Sequence, residues 1–158
     1  MTTSQGLSIE RELQIAARPE IVFRLLTDPV EVLRWQGITA ELDARPGGVY
    51  RMVLNELGHT AEGRFVEVAP FTRVVFTWGW AVGPFDVPAG SSTVEFTLTP
   101  EGQGTRLHFR HHGLPDRPEI VASHGVGWDH YFERLALVAE GGMAPEDPWA
   151  TGEMGEAP

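Results

Sequence analysis

The chain contains no cysteine, which excludes disulfides and thiolate metal sites. Positive charge is scarce: 12 Lys and Arg stand against 22 Asp and Glu, for a net charge of −10. Such a surface repels phosphate backbones and anionic lipid heads, so neither nucleic acid nor a membrane surface is an expected partner. No apolar run approaches the roughly 20 residues of a membrane-crossing helix. The short polar stretch Met1 to Gly6 lacks the basic and apolar regions of a signal peptide. Together these absences predict a cytoplasmic protein. What is present is an ordinary globular composition: 158 residues, 42% hydrophobic. That length fits one domain, able to bury roughly 70% of its unfolded surface.

Hydrophobic periodicity organises the chain. In Ser8–Ala16, Ile9, Leu13 and Ile15 share one parity while Glu10, Glu12 and Gln14 take the other. That is a strand with one wet face, with Arg11 breaking the pattern. Arg18-Pro19-Glu20 opens a helix, since proline suits the first turn. Ile21, Val22, Leu25 and Leu26 form its stripe, and Asp28-Pro29 ends it. A second short helix spans about 30–34 and carries Leu33, with Trp35 just after it. Strands follow at 38–43, 49–54, 60–69, 73–80, 92–99 and 105–112, separated by Gly- and Pro-rich turns and a longer loop at 81–90. A long helix then spans about 119–139, roughly 30 Å at 1.5 Å per residue. Val121, Gly125, Trp128, Phe132, Leu135 and Ala139 make one stripe along it. Gly141-Gly142 stops it.

The order is one strand, two short helices, six strands and a long helix. This predicts the α+β class: an antiparallel meander of about seven strands, curved over the final helix, the one element long enough to cover its apolar face. The domain is expected over 8–142, with a flexible N-terminus at 1–7. A Pro-, Gly- and Glu-rich tail at 143–158 is expected to be flexible, with Trp149 as a residue that could dock it.

Several stretches are similar to one superfamily when taken in order. They are Ile15-Ala16-Ala17-Arg18-Pro19-Glu20-Ile21-Val22-Phe23, Pro46-Gly47-Gly48-Val49-Tyr50-Arg51 and Gly63-Arg64-Phe65-Val66-Glu67-Val68-Ala69-Pro70. Val74-Val75-Phe76-Thr77-Trp78, Ser92-Thr93-Val94-Glu95-Phe96-Thr97-Leu98 and His124-Gly125-Val126-Gly127-Trp128 complete the set. The chain resembles the START-like (SRPBCC, helix-grip) superfamily over about 8–142. Within it, the branch resembled is that of the C-terminal domain of the Aha heat-shock-protein ATPase activator. The resemblance implies a cavity between sheet and final helix. The fold hosts carriers, cyclases and chaperone regulators alike, so it does not name an activity.

Alternation supplies a lining for that cavity. Val74, Phe76, Trp78 and Trp80 share a strand face, as do Val94, Phe96 and Leu98, and Leu107, Phe109 and His111. Trp128, Phe132 and Leu135 of the helix point back at them. The ligand-binding set expected is Val74, Phe76, Trp78, Trp80, Phe96, Leu98, Phe109, His111, Trp128, Phe132 and Leu135. Large apolar residues with few polar groups suit a small hydrophobic ligand, and the same pattern also suits a solid core.

Candidate chemistry is sparse. His111 and His112 face opposite sides of a strand, and parity turns His111 inward, where an imidazole could move a proton. Glu62 and Arg64 share a face with Val66 and Val68, and enter the cavity if those valines do. His111, Glu62 and Arg64 are therefore the candidates for acid, base or oxyanion work in a cyclase- or hydratase-like enzyme. No histidine pair has zinc-site spacing, and neither a metal nor a cofactor is expected. Asp129 and Glu133 lie beside the apolar stripe and should be solvated. An interaction module akin to a chaperone cofactor is the third alternative, and an exposed patch at Trp35 or Trp149 would favour it. A homodimer stays open.

Overall fold

The computed structural model describes residues 8–151. The N-terminus at 1–7 and the last part of the tail, 152–158, lie outside the described residues. Strand β1 (Ile9–Ile15) is followed by helix α1 (Pro19–Thr27) and a single 3-10 turn (Glu31–Arg34). Then come β2 (Thr39–Leu42), β3 (Val49–Val53), β4 (Thr60–Ala69), β5 (Arg73–Trp78), β6 (Trp80–Val82), β7 (Ser92–Glu101) and β8 (Gly104–His112). Helix α2 (Pro118–Ala139) and a closing 3-10 turn (Pro148–Thr151) finish the chain.

The strands form one antiparallel sheet in the order β1-β8-β7-β5-β4-β3-β2, with β6 paired to β4. The architecture is the expected α+β sheet on a terminal helix, with eight strands where about seven were read. The extra strand arises at Gly79. A Cβ there would lie 1.8 Å from the Pro88 carbonyl oxygen. Only glycine lets the long loop press against the strand at this point, and the run 73–80 divides into β5 and β6.

Strand β4 turns the sheet. Phe65 pairs with Phe76 and Glu67 with Val75, which leaves Val66 as an extra residue in a bulge. Before the bulge, Ala61, Gly63 and Phe65 are buried; after it, Val68 packs on the core. The inward parity therefore switches at Val66, which is itself exposed. A Cβ at Gly63 would meet the Thr77 carbonyl oxygen at 1.8 Å, so a second glycine keeps the bend tight.

The concave face carries the core. Val74, Phe76, Val94, Phe96, Leu107 and Phe109 are almost fully buried beneath Phe132 and Leu135 of α2. Helix α1 closes one end through Val22, Leu25 and Leu26. Asp28 follows it, and its Oδ1 accepts hydrogen bonds from the Val30 and Glu31 amides. Arg11 is the residue that broke the period of β1. It faces α2 and holds Asp129 through bonds of 2.7 and 3.1 Å. Gly125 leaves room for that guanidinium, since a Cβ there would lie 3.1 Å from Arg11 Nη2.

Candidate functional site

The interior divides into a packed part and an open part. Aromatic rings fill the first. Phe109 lies 4.7 Å from Trp128 and 4.8 Å from Phe132, and Phe96 lies 5.3 Å from Phe109. The void among Tyr50, Phe76, Phe96 and Trp128 is only about 10 Å³. The open part is a cavity of about 260 Å³ at the end of α2 nearest its N-terminus. Trp78 of β5 and Trp80 of β6 form its floor, while Ser123, His124, Gly127, Trp128 and Tyr131 come from α2. Leu54, Leu57 and His59 supply the β3–β4 side, Pro84 and Phe85 the long loop, and Gln36 the segment after the first 3-10 turn. Trp149 closes the rim.

This placement corrects the lining read from alternation. Trp78, Trp80 and Trp128 reach the cavity. Val74, Phe76, Phe96, Leu98, Phe109, Phe132 and Leu135 are buried but pack against one another, so they are core. The same strand face serves both purposes along its length. Of the residues that alternation missed, Trp149 and Gly127 carried a signal, one as an isolated aromatic in a polar tail and the other as absent bulk. Gln36 and Phe85 sit in irregular segments with no period to mark them.

Two buried histidines tie the tryptophans in place. The Trp128 indole N–H donates to His111 Nδ1 at 3.0 Å, and His111 Nε2 lies 2.8 Å from Ser92 Oγ. An indole can only donate, so Nδ1 is the bare nitrogen and Nε2–H donates to the serine. Ser92 in turn donates to the Trp78 carbonyl at 2.8 Å. His124 repeats the scheme in reverse. Its Nδ1 lies 2.7 Å from the Ile120 carbonyl oxygen, so Nδ1–H donates, and Nε2 accepts the Trp80 indole N–H at 3.0 Å. Both imidazoles are neutral with every nitrogen engaged. Burial pushes the His111 pKa well below its ordinary value, aided by His124 and His112 nearby. Burial also lowers His124, although its bond to Ile120 opposes the shift.

The three acid–base candidates do not meet. His111 is fully buried behind Trp128 and outside the cavity lining. Glu62 and Arg64 lie on the outer face of β4, because the bulge at Val66 separates their parity from that of Val68. Glu62 is 3.8 Å from Arg51, and Arg64 reaches the Gly47 carbonyl at 3.3 Å, both at the surface. Glu62→Gln and Arg64→Gln are accordingly expected to change unfolding free energy by no more than about 0.5 kcal/mol, measured by urea denaturation. A loss of several times that amount would mean one of the two is buried after all. Among the described residues, no cluster of three or more His, Asp or Glu side chains is placed to hold a metal ion.

The tail is fastened at its first half. His130 stacks on Trp149 at 3.9 Å, and its Nε2 lies 2.9 Å from the buried Asp147 carboxylate. Arg134 donates to the Pro145 carbonyl, and the Glu56 amide donates to the Ala150 carbonyl. Residues 143–151 thereby run from α2 to the β3–β4 turn across the mouth. Trp35 is 2% exposed, with its indole N–H on the Leu25 carbonyl, so it forms no surface patch.

A curled antiparallel sheet gripping a terminal helix, with an aromatic cavity at one end, defines a START-like protein. Within that class, the chain belongs to the family described as Activator of Hsp90 ATPase homolog 1-like protein, which matches residues 16–140. An AHSA1-like protein from Rhizobium etli is 41% identical, with a TM-score of 0.71 over 90% of this chain and 87% of that one. CalU16 from Micromonospora echinospora is 27% identical, with a TM-score of 0.71 over 92% of this chain and 71% of that one. The Aha1 dimer from Colwellia psychrerythraea is 19% identical, with a TM-score of 0.73 over 87% of this chain and 98% of that one, a likeness of fold alone. No curated protein matches the chain. Among the described residues, no helix is long and apolar enough to cross a membrane.

Proposed function

We propose that the protein binds a small apolar or aromatic molecule in the cavity between the sheet and α2. The observation that carries this reading is the cavity itself: about 260 Å³, walled by Trp78, Trp80, Phe85, Trp128 and Trp149. An apolar space of that size stays poorly hydrated and favours an apolar guest. The Trp80 and Trp128 rings are held by hydrogen bonds to neutral histidines and Trp149 is stacked on His130, so these walls are formed before a guest arrives. Binding then avoids the cost of ordering them. Membership of a START-like family is consistent with the reading and does not choose the ligand.

The chain has five tryptophans, whose indole N–H signals separate in a proton–nitrogen NMR spectrum. Titration with naphthalene is expected to move the signals of Trp78, Trp80, Trp128 and Trp149 and to leave Trp35 in place. A spectrum unchanged by naphthalene, or one in which Trp35 alone responds, would contradict the proposal.

A further inference from the structure

We infer that the guest of this cavity is an uncharged aromatic molecule of about two fused rings bearing a hydroxyl or carbonyl oxygen, and that Gln36 selects for that oxygen. The inference rests on the binding reading above and deepens it.

Size follows from volume. A cavity of about 150 Å³ accommodates a benzene ring, so about 260 Å³ accommodates a second ring as well. Charge follows from the lining: among the described residues, no Asp, Glu, Lys or Arg faces the space. His124 offers no free nitrogen, since both are bonded within the wall. A charged group carried into such an interior loses its hydration and meets no counter-ion among the described residues, so it is disfavoured.

The polar group follows from what is unused. Gln36 is 6% exposed and lines both the cavity and the small void beside it. Its backbone amide is satisfied by the Val32 carbonyl, but its side-chain amide has no hydrogen-bond partner among the described residues. Gly37 follows at φ +82°, where a Cβ would lie 2.9 Å from the Met52 side chain, so the backbone turn beside Gln36 calls for glycine. The Tyr131 hydroxyl is fully enclosed without a partner, whereas the Gln36 amide is open to the cavity. A primary amide presents two donors and an acceptor. Without a guest the amide is open to water, and a hydrocarbon guest that covers it strips that water away and leaves the amide unpaired. A guest oxygen that pairs with the amide replaces the lost water, whereas a pure hydrocarbon does not. Sites of this kind reject the analogue that lacks the polar group more strongly than they discriminate by size.

The test compares naphthalene, 2-naphthol and 2-naphthoate at about pH 7.5, by NMR titration of wild type, Gln36→Leu and Gln36→Met, with melting temperatures recorded for each variant. In wild type, 2-naphthol is expected to bind about tenfold tighter than naphthalene, and 2-naphthoate to bind much more weakly than either. In whichever glutamine variant melts as wild type does, 2-naphthol should fall to the affinity of naphthalene, with naphthalene itself little changed. Equal wild-type affinities for naphthalene and 2-naphthol, or tight binding of 2-naphthoate, would overturn the inference and leave the cavity reading standing. A folded variant that keeps the full preference would overturn the role of Gln36. Failure of all three probes to bind would overturn the cavity reading and this inference with it.

Discussion

Acidification is expected to destabilise the fold sharply just below neutrality, with His111 and His124 responsible. Both rings are neutral and buried in the folded protein, and both have pKa values lowered from the ordinary 6.5. In the unfolded chain they regain that ordinary value. Below about pH 6.5 the unfolded state binds protons that the folded state refuses, so stability falls as pH falls. The stabilisation is complete above the unfolded value and is lost progressively from there down towards the depressed native values. With an unfolded value of 6.5, each group contributes at most about 1 kcal/mol between pH 6.5 and 5.5, so the pair contributes up to about 2 kcal/mol. The geometry explains why the folded state refuses. A proton on His111 Nδ1 would face the Trp128 indole N–H at 3.0 Å, donor against donor. A proton on His124 Nε2 would face the Trp80 indole N–H in the same way. The titratable groups bearing on His111 are His124 and His112, and neither supplies a negative charge.

Urea denaturation at about pH 7.5, 6.5 and 5.5 measures the effect. Wild type should lose little stability between the first two and about three times as much between the last two. His111→Gln keeps an acceptor for the indole but cannot titrate, so its loss over the acid step should be about half that of wild type. Equal wild-type stability at the highest and lowest pH would contradict the assignment. So would a His111→Gln variant that falls as steeply as wild type.

The inward faces were legible in the sequence wherever a strand keeps its period. Val74, Phe76, Trp78 and Trp80 share one parity and all four are buried, although Val75 between the first two is buried as well. The period misled at β4, because one extra residue in the ladder reverses every side chain beyond it. Glu62 and Arg64 therefore face water although Val68 does not. The position of the cavity could not be read from local pattern at all. A row of large apolar residues looks the same whether it fills space or lines it. The difference is set by segments far apart in sequence: the loop carrying Phe85, the residue Gln36 after a single 3-10 turn, and Trp149 laid back across α2. The histidine partnerships escaped for the same reason. His111 and Trp128 are 17 residues apart, and only the crossing of α2 over β8 brings their rings together.

The central claim is that the space beside Gly127 is where the guest sits, and Gly127→Leu tests it most directly. Gly127 lines the cavity, and a Cβ built there meets no heavy atom within 4 Å. A side chain added at this position therefore starts in open space and extends into the cavity that Gly127 lines. In a helix interior leucine is favoured over glycine by somewhat under 1 kcal/mol, so the melting temperature should hold or rise by a few degrees. The expected result of the naphthalene titration on this variant is loss of the indole N–H shifts at Trp78, Trp80 and Trp128 in a protein at least as stable as wild type. Wild-type affinity for naphthalene in folded Gly127→Leu would contradict the account.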